Sequence, residues 1–191
     1  MGYLKKAFFD RIQINPIIAA VKDISKLDKA IASPCEIVFL LTGDIFNLKE
    51  IVSKVKSKGK CIFIHIDLID GFSRNVTALK YIHENIKPDG IISTKSTLIK
   101  AAKDMNMFAI QRFFIIDSLS LNNAIESLKT IRPDAAEILP GIMGKITYTI
   151  NKQTNRPVIA GGLIKDKEDV IQSIKAGAIG ISTTDEKIWE M

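Results

Sequence analysis

The sequence predicts an α/β protein, a compact (β/α)8 barrel of the TIM type occupying residues 1–191 as a single domain. Three observations lead there. Short apolar runs recur along the whole chain, each is followed by a segment with helical spacing, and no Pro-, Gly- or Ser-rich linker interrupts the series. Parallel strands need covering helices and right-handed crossovers, so eight such units close most naturally into a ring. An open doubly wound sheet is the competing arrangement, but no G-x-G-x-x-G follows an early strand.

The strand candidates run in order from "PIIAA" (16–20) and "EIVFLL" (36–41). The helix "NLKEIVSKVKSKG" comes next and stops at Gly59, a glycine suited to a helix C-terminus. "CIFIHI" (61–66), "GIIST" (90–94) and "FAIQRFF" (108–114) supply the third, fourth and fifth strands. "SLSLNNAIESLKTIRP" opens on serines and ends before Pro133, and "AAEIL" (135–139) follows it. After "PVIAG" (157–161), Asp166 caps "DKEDVIQSIKAG", which halts at Gly177 before "AIGIS" (178–182) and a terminal helix.

With 191 residues, 47% hydrophobic and 25% charged, the chain can bury its own core. Its apolar runs fall far short of the ~20 residues a bilayer requires, and the basic N-terminus lacks an apolar h-region. A cytoplasmic protein without a membrane partner is expected. Cys35 and Cys61 have no metal-like spacing and read as buried thiols of a reducing compartment. The net charge of +6 is uneven: residues 1–60 hold 11 Lys or Arg against 6 Asp or Glu. Much of that excess sits on Lys49, Lys54, Lys56 and Lys58, on the polar face of a helix whose other face carries Leu48, Ile51, Val52 and Val55. Two readings follow, a solvated helix face or a footprint for a polyanion.

In such a barrel the ligand site lies at the C-terminal ends of the strands, with phosphate held by the loops after the seventh and eighth. Gly161 and Gly162 allow close main-chain approach there, and amides near Ser182, Thr183 and Thr184 can donate at the start of the terminal helix. Strand alternation places Phe63, His65 and Asp67 on one face, Ser93 and Lys95 on another, and Ala135, Glu137 and Leu139 on a third. Asp67 and Glu137 would accept from ligand hydroxyls, and Lys95 would balance them or meet the phosphate. Within "FAIQRFFIID", Gln111 is expected inward with Ala109 and Phe113, leaving Arg112 for the rim or a carboxylate. His65 reads as a hydrogen-bonded structural histidine. The set suits a small phosphorylated polyol. No metal-ligand spacing, activated nucleophile or cofactor motif is present, so no residue is assigned a catalytic or metal role.

Taken together, "NPIIAAV", "FLLTGDI", "FIHIDLIDG", "GIISTK", "QRFFIIDSLS", "AAEILPGIM", "VIAGGLI" and "GISTTDEKIW" resemble the glycerol-3-phosphate-responsive antiterminator family of bacteria. The resemblance runs from about Asn15 to the C-terminus, departing at Gly144, where a proline is expected, and in "GFSRN". It implies a barrel, glycerol 3-phosphate as effector, no cofactor, and leader mRNA of glycerol-utilisation genes as partner. It also implies an effector pocket at Asp67, Lys95, Gln111, Glu137, Gly161, Gly162, Ser182 and Thr183. The function expected is therefore an RNA-binding regulator that prevents transcription termination. The alternative is an enzyme acting on a phosphorylated polyol, an isomerase or phosphodiesterase, with Asp67 and Glu137 as acid and base. Assembly as a homo-oligomer is left open.

Overall fold

A parallel strand buried on both faces is expected to be mainly apolar, and the eight runs are so except for a few polar residues such as His65, Gln111, Arg112 and Glu137. The computed structural model describes residues 2–191, with side chains from Lys6 onward. Its strands are β1 (Ile17–Val21), β2 (Ile37–Leu40), β3 (Cys61–His65) and β4 (Gly90–Ser93). The second half contributes β5 (Phe108–Phe114), β6 (Ala135–Leu139), β7 (Val158–Gly161) and β8 (Gly180–Thr183). They close into one barrel in chain order, each parallel to the next and β8 parallel to β1.

Around this ring lie α2 (Leu27–Ala32), α3 (Leu48–Ser57), α4 (Val76–Tyr81, continued by a π turn to Ile86), α5 (Ser96–Asp104) and α6 (Ser118–Ile131). α7 (Gly144–Thr154), α8 (Lys167–Lys175) and α9 (Glu186–Trp189) complete it. The expected stops and starts are in place. Asp166 caps α8 by accepting from the Asp169 amide, and Asp117 forms a capping box with Ser120 on α6. None of these helices is long and apolar enough to cross a membrane.

The chain opens with an additional helix, α1 (Gly2–Ile14), that strand and helix patterning did not foretell. It plugs the floor of the barrel. The ring centroid of Phe8 lies 4.5 Å from that of Phe108 and 5.3 Å from that of Phe63. Ile12 follows one turn later, over Gly180, where a Cβ would meet its Cδ1 at 2.9 Å. Phe8 and Ile12 thus join the interior set of Ile18, Ile37, Phe39, Phe63, Phe108, Ile110 and Ile159, so the lower barrel is solid. Burying a side chain such as Phe8 contributes about 2–3 kcal/mol. The floor being filled, ligand access is confined to the opposite end.

Candidate functional site

Register decides which side chains face the open end. Lateral neighbours in a parallel ring point the same way, so the pairs Ile110↔Ala135 and Arg112↔Glu137 place Arg112 and Glu137 inside with the core. Gln111, paired with Ser93 and Ala136, points out toward the helices. The expectation of an inward Gln111 is corrected here. Its amide donates to Ser96 Oγ at 2.9 Å and Ser127 Oγ at 3.0 Å, clamping α5 to α6. Arg112 takes the interior place because it has a carboxylate to meet: its Nε donates to Glu137 Oε2 at 2.6 Å, with both side chains buried.

Two further expectations change for one reason, that strand alternation stops where the strand stops. Phe63 and His65 do share the interior face of β3, but a 3-10 turn over Ile66–Leu68 follows at once and redirects Asp67. Its carboxylate accepts from Ser93 Oγ at 2.9 Å, from the Thr94 amide at 2.7 Å and from Thr94 Oγ1 at 3.0 Å. Asp67 therefore ties the β3 loop to the β4 loop. Lys95 lies beyond β4, precedes α5, and is exposed, with its Nζ donating to the Arg74 carbonyl at 3.3 Å. It does not converge with Asp67 and Glu137, and the cation beside Glu137 is Arg112.

The seventh and eighth loops do come together with the interior pair. A cavity of about 130 Å³ at the mouth is lined by Arg112, Glu137, Gly162, Leu163, Ser182 and Thr183, among others. That is roughly the volume of four waters at ~30 Å³ each, room for a small polar molecule. Gly161 faces inward against Glu137: a Cβ there would stand 3.0 Å from Oε1 of that carboxylate. Gly162 has φ +75, a conformation that favours glycine, and it abuts Leu139. Ser182, opposite Gly161 and Ile18 in the ladder, is buried, and its hydroxyl has no side-chain partner among the described residues. Thr183 is used differently. Its Oγ1 accepts from the Asp185 amide at 3.1 Å and approaches the Ile164 carbonyl at 3.4 Å, so it knits the two loops together. At the start of α9, the Lys187 amide is taken by Asp185 Oδ1 at 2.9 Å, so that helix end is already capped.

His65 adds a polar group. It is buried inside the barrel, its Nδ1 makes no hydrogen bond, and Asp67 Oδ2 lies 3.9 Å away. Burial first, and then the Arg112 cation, hold its pKa down to about 4 against the opposing pull of Asp67, so the imidazole is neutral at physiological pH. Sequence reasoning missed Arg112 as a site residue and gave His65 a bonded structural role. Both lie on interior faces that only register identifies.

The lysines of α3 lie on the outer side of the barrel. Lys54 pairs with Asp28 at 2.5 Å, and Lys56 meets Asp89 at 3.3 Å and the Lys87 carbonyl at 3.0 Å. Lys49 and Lys58 have no carboxylate partner among the described residues. An open groove of about 640 Å³ runs beside them, lined by Lys49, Lys56, Glu84 and Lys87 and sharing no residue with the mouth. Cys35 is buried and Cys61 half-buried; burial pushes the Cys61 thiol up to about 11, the behaviour of inert structural cysteines.

Comparison with known proteins identifies the family and agrees with the barrel fold. The family model described as "glycerol-3-phosphate responsive antiterminator" matches residues 17–189. The chain is 41% identical over 177 residues to "uncharacterized protein YgcP" of Escherichia coli (strain K12), covering 93% of each. Among solved structures it is similar to the glycerol uptake operon antiterminator regulatory protein of Listeria monocytogenes, with a TM-score of 0.89 and 35% identity over 92% of this chain and 95% of that one. A glycerol uptake operon antiterminator-related protein of Thermotoga maritima gives 0.83 and 32%, covering 93% and 99%. An aldolase at 0.70 and 15% identity shares the fold alone.

Proposed function

The chain belongs to the glycerol-3-phosphate-responsive antiterminator family, and from that premise we propose that it is a non-catalytic regulator gated by glycerol 3-phosphate. The effector enters the barrel mouth. In the bound state the protein holds the leader mRNA of glycerol-utilisation genes, in the cytoplasm where that message is made, and the terminator does not form.

One observation carries the effector assignment: a buried guanidinium, Arg112, stands at a small cavity closed by the two loops that hold phosphate in barrels of this kind. Its planar fork suits a phosphate, and the Ser182 hydroxyl is a further donor. The phosphate would compete with Glu137 for Arg112, and this competition is a local event that can bias a loop arrangement. Neutral His65 and the carboxylate of Glu137 suit the glycerol hydroxyls, while Asp67 holds the β3 and β4 loops in place. No cofactor is needed.

Engagement of Asp67 by Ser93 and Thr94, and of Glu137 by Arg112, supports binding over catalysis. Leader-RNA affinity measured with and without glycerol 3-phosphate, at several salt concentrations, tests the gating. Tighter RNA binding with effector is expected, and linkage requires RNA to tighten effector binding by the same factor. Equal affinities throughout would overturn it. Lys49 on α3 and Lys58 just past its end, which have no carboxylate partner among the described residues, are the proposed phosphate contacts, and each Lys→Ala change should reduce the salt slope by about 1. Turnover of glycerol phosphates that Asp67→Asn or Glu137→Gln abolishes would establish the enzyme instead.

A further inference from the structure

Five large apolar side chains stand bare at the barrel mouth, at the end of β5, in the loops that follow β5, β6 and β7, and in the first turn of α6: Phe114 (56% exposed), Ile116 (85%), Leu119 (66%), Ile142 (47%) and Leu163 (58%). Main-chain hydrogen bonds lace these loops into one ledge. The Ile115 amide donates to the Leu139 carbonyl at 2.8 Å, and the Gly141 amide to the Gly162 carbonyl at 3.0 Å. Across Phe114–Leu119, Leu139–Met143 and Gly161–Ile164 the only charged residue is Asp117, and its carboxylate is turned back to accept from the Ser120 amide at 2.7 Å. At 150–200 Å² for a large side chain, these exposures leave on the order of 500–600 Å² of bare apolar surface. A patch of that size stands at the upper end of what a monomer exposes, where the largest patch is often functional.

We propose that this ledge is the contact face of a two-fold dimer of the chain, and that dimerisation is coupled to the effector pocket through Leu163, which stands both in the ledge and in the pocket wall. A standard interface takes about 800 Å² from each partner, with about two thirds apolar in homodimers, and the ledge supplies that apolar share. A second copy is the occupant that fits. The absence of cations on the three loops is wrong for a polyanion or an acidic membrane surface, whereas a two-fold contact needs only one self-complementary patch. Exposed Lys145, Lys165 and Asp166 border it with both signs of charge, as a polar rim requires. A copy seated there lies over the mouth and shields bound effector from water, so effector and partner stabilise each other. The coupling rests on the effector assignment; the dimer does not.

Sedimentation velocity of the full chain over a protein concentration series, with and without glycerol 3-phosphate, tests both parts, since the dimer's population depends on protomer concentration. A dimer whose dissociation constant falls at least tenfold with effector is expected. Ile116→Asp should be monomeric throughout and keep the melting temperature of the parent at a concentration where the parent is itself monomeric, because the side chain is 85% exposed in the monomer; Leu119→Lys serves if that variant misfolds. A parent protein that stays monomeric with and without effector, or a dimer indifferent to both substitutions, overturns the ledge. A ledge-dependent dimer that ignores the effector overturns the coupling. Calorimetry on the same samples separates the cases: no heat with glycerol 3-phosphate refutes the effector assignment while a ledge-dependent dimer stands.

Discussion

Arg112→Met removes the cation that Glu137 meets in the barrel interior. The pair is 2.6 Å apart, and the side chains are 7% and 1% exposed, so the carboxylate left behind is almost wholly buried. Removing one member of a buried pair costs about 3–5 kcal/mol, most of it the penalty of an uncompensated buried charge. In a chain of this length each kcal/mol moves the melting temperature by about 2–4 °C, so a fall of roughly 6–20 °C is expected. The double variant Arg112→Met, Glu137→Met leaves no charge behind and should recover most or all of that loss, since apolar replacement of both members is often neutral or stabilising. The same single substitution removes a charge-assisted contact to the phosphate, worth about 1.5–3 kcal/mol, or roughly ten- to hundredfold in effector affinity. Urea unfolding of the parent and the two variants supplies the free energies. A single variant within about 1 kcal/mol of the parent, or a double variant no more stable than the single one, would refute the buried-pair reasoning.

Three other substitutions probe separate parts of the site. Gln111→Ala should lose about 1–3 kcal/mol by leaving Ser96 and Ser127 without their amide, yet leave effector affinity unchanged; a tenfold loss of affinity in calorimetry would put that side chain at the mouth after all. Gly161→Ala places a methyl 3.0 Å from Glu137 Oε1, so the carboxylate must shift and effector affinity should fall at least tenfold; unaltered binding would detach the seventh loop from the effector. His65 has a folded pKa of about 4, below its ordinary 6.5, so between those values the unfolded chain binds a proton that the barrel refuses. Stability is therefore full above about pH 6.5 and falls by up to about 3 kcal/mol as the pH drops toward 4. His65→Gln should remove that part of the pH dependence in urea unfolding, and identical pH dependence in parent and variant would exclude His65 as its source.

Much of the barrel was legible because its parallel strands are buried on both sides and so appear as continuous apolar runs, punctuated by Gly59, Gly177 and the Asp166 cap. That same property hid the side-chain directions in β5. A strand buried on both faces shows no polar–apolar alternation, and neighbouring Gln111 and Arg112 could be ordered only by the pairing of Arg112 with Glu137. Asp67 and Lys95 were misplaced because a period of two was carried past His65 and Ser93, where the strands end. Helix α1 escaped notice because Phe8 and Ile12 acquire their meaning from Phe63, Phe108 and Gly180, residues far along the chain. The place of the seventh and eighth loops was legible because the chain order of a closed barrel fixes where its last two strands end, and Gly161, Gly162 and Ser182 lie there. The lysine pattern of α3 identified an exposed face, but nothing in it announced Asp28 and Asp89, which neutralise Lys54 and Lys56 from other elements.

Titration calorimetry with glycerol 3-phosphate, beside glycerol and inorganic phosphate, tests the effector site most directly. Saturable heat at one site per chain is expected, with glycerol at least tenfold weaker and Arg112→Met strongly impaired. Flat heats with glycerol 3-phosphate at millimolar concentration, or undiminished binding by folded Arg112→Met, would contradict it.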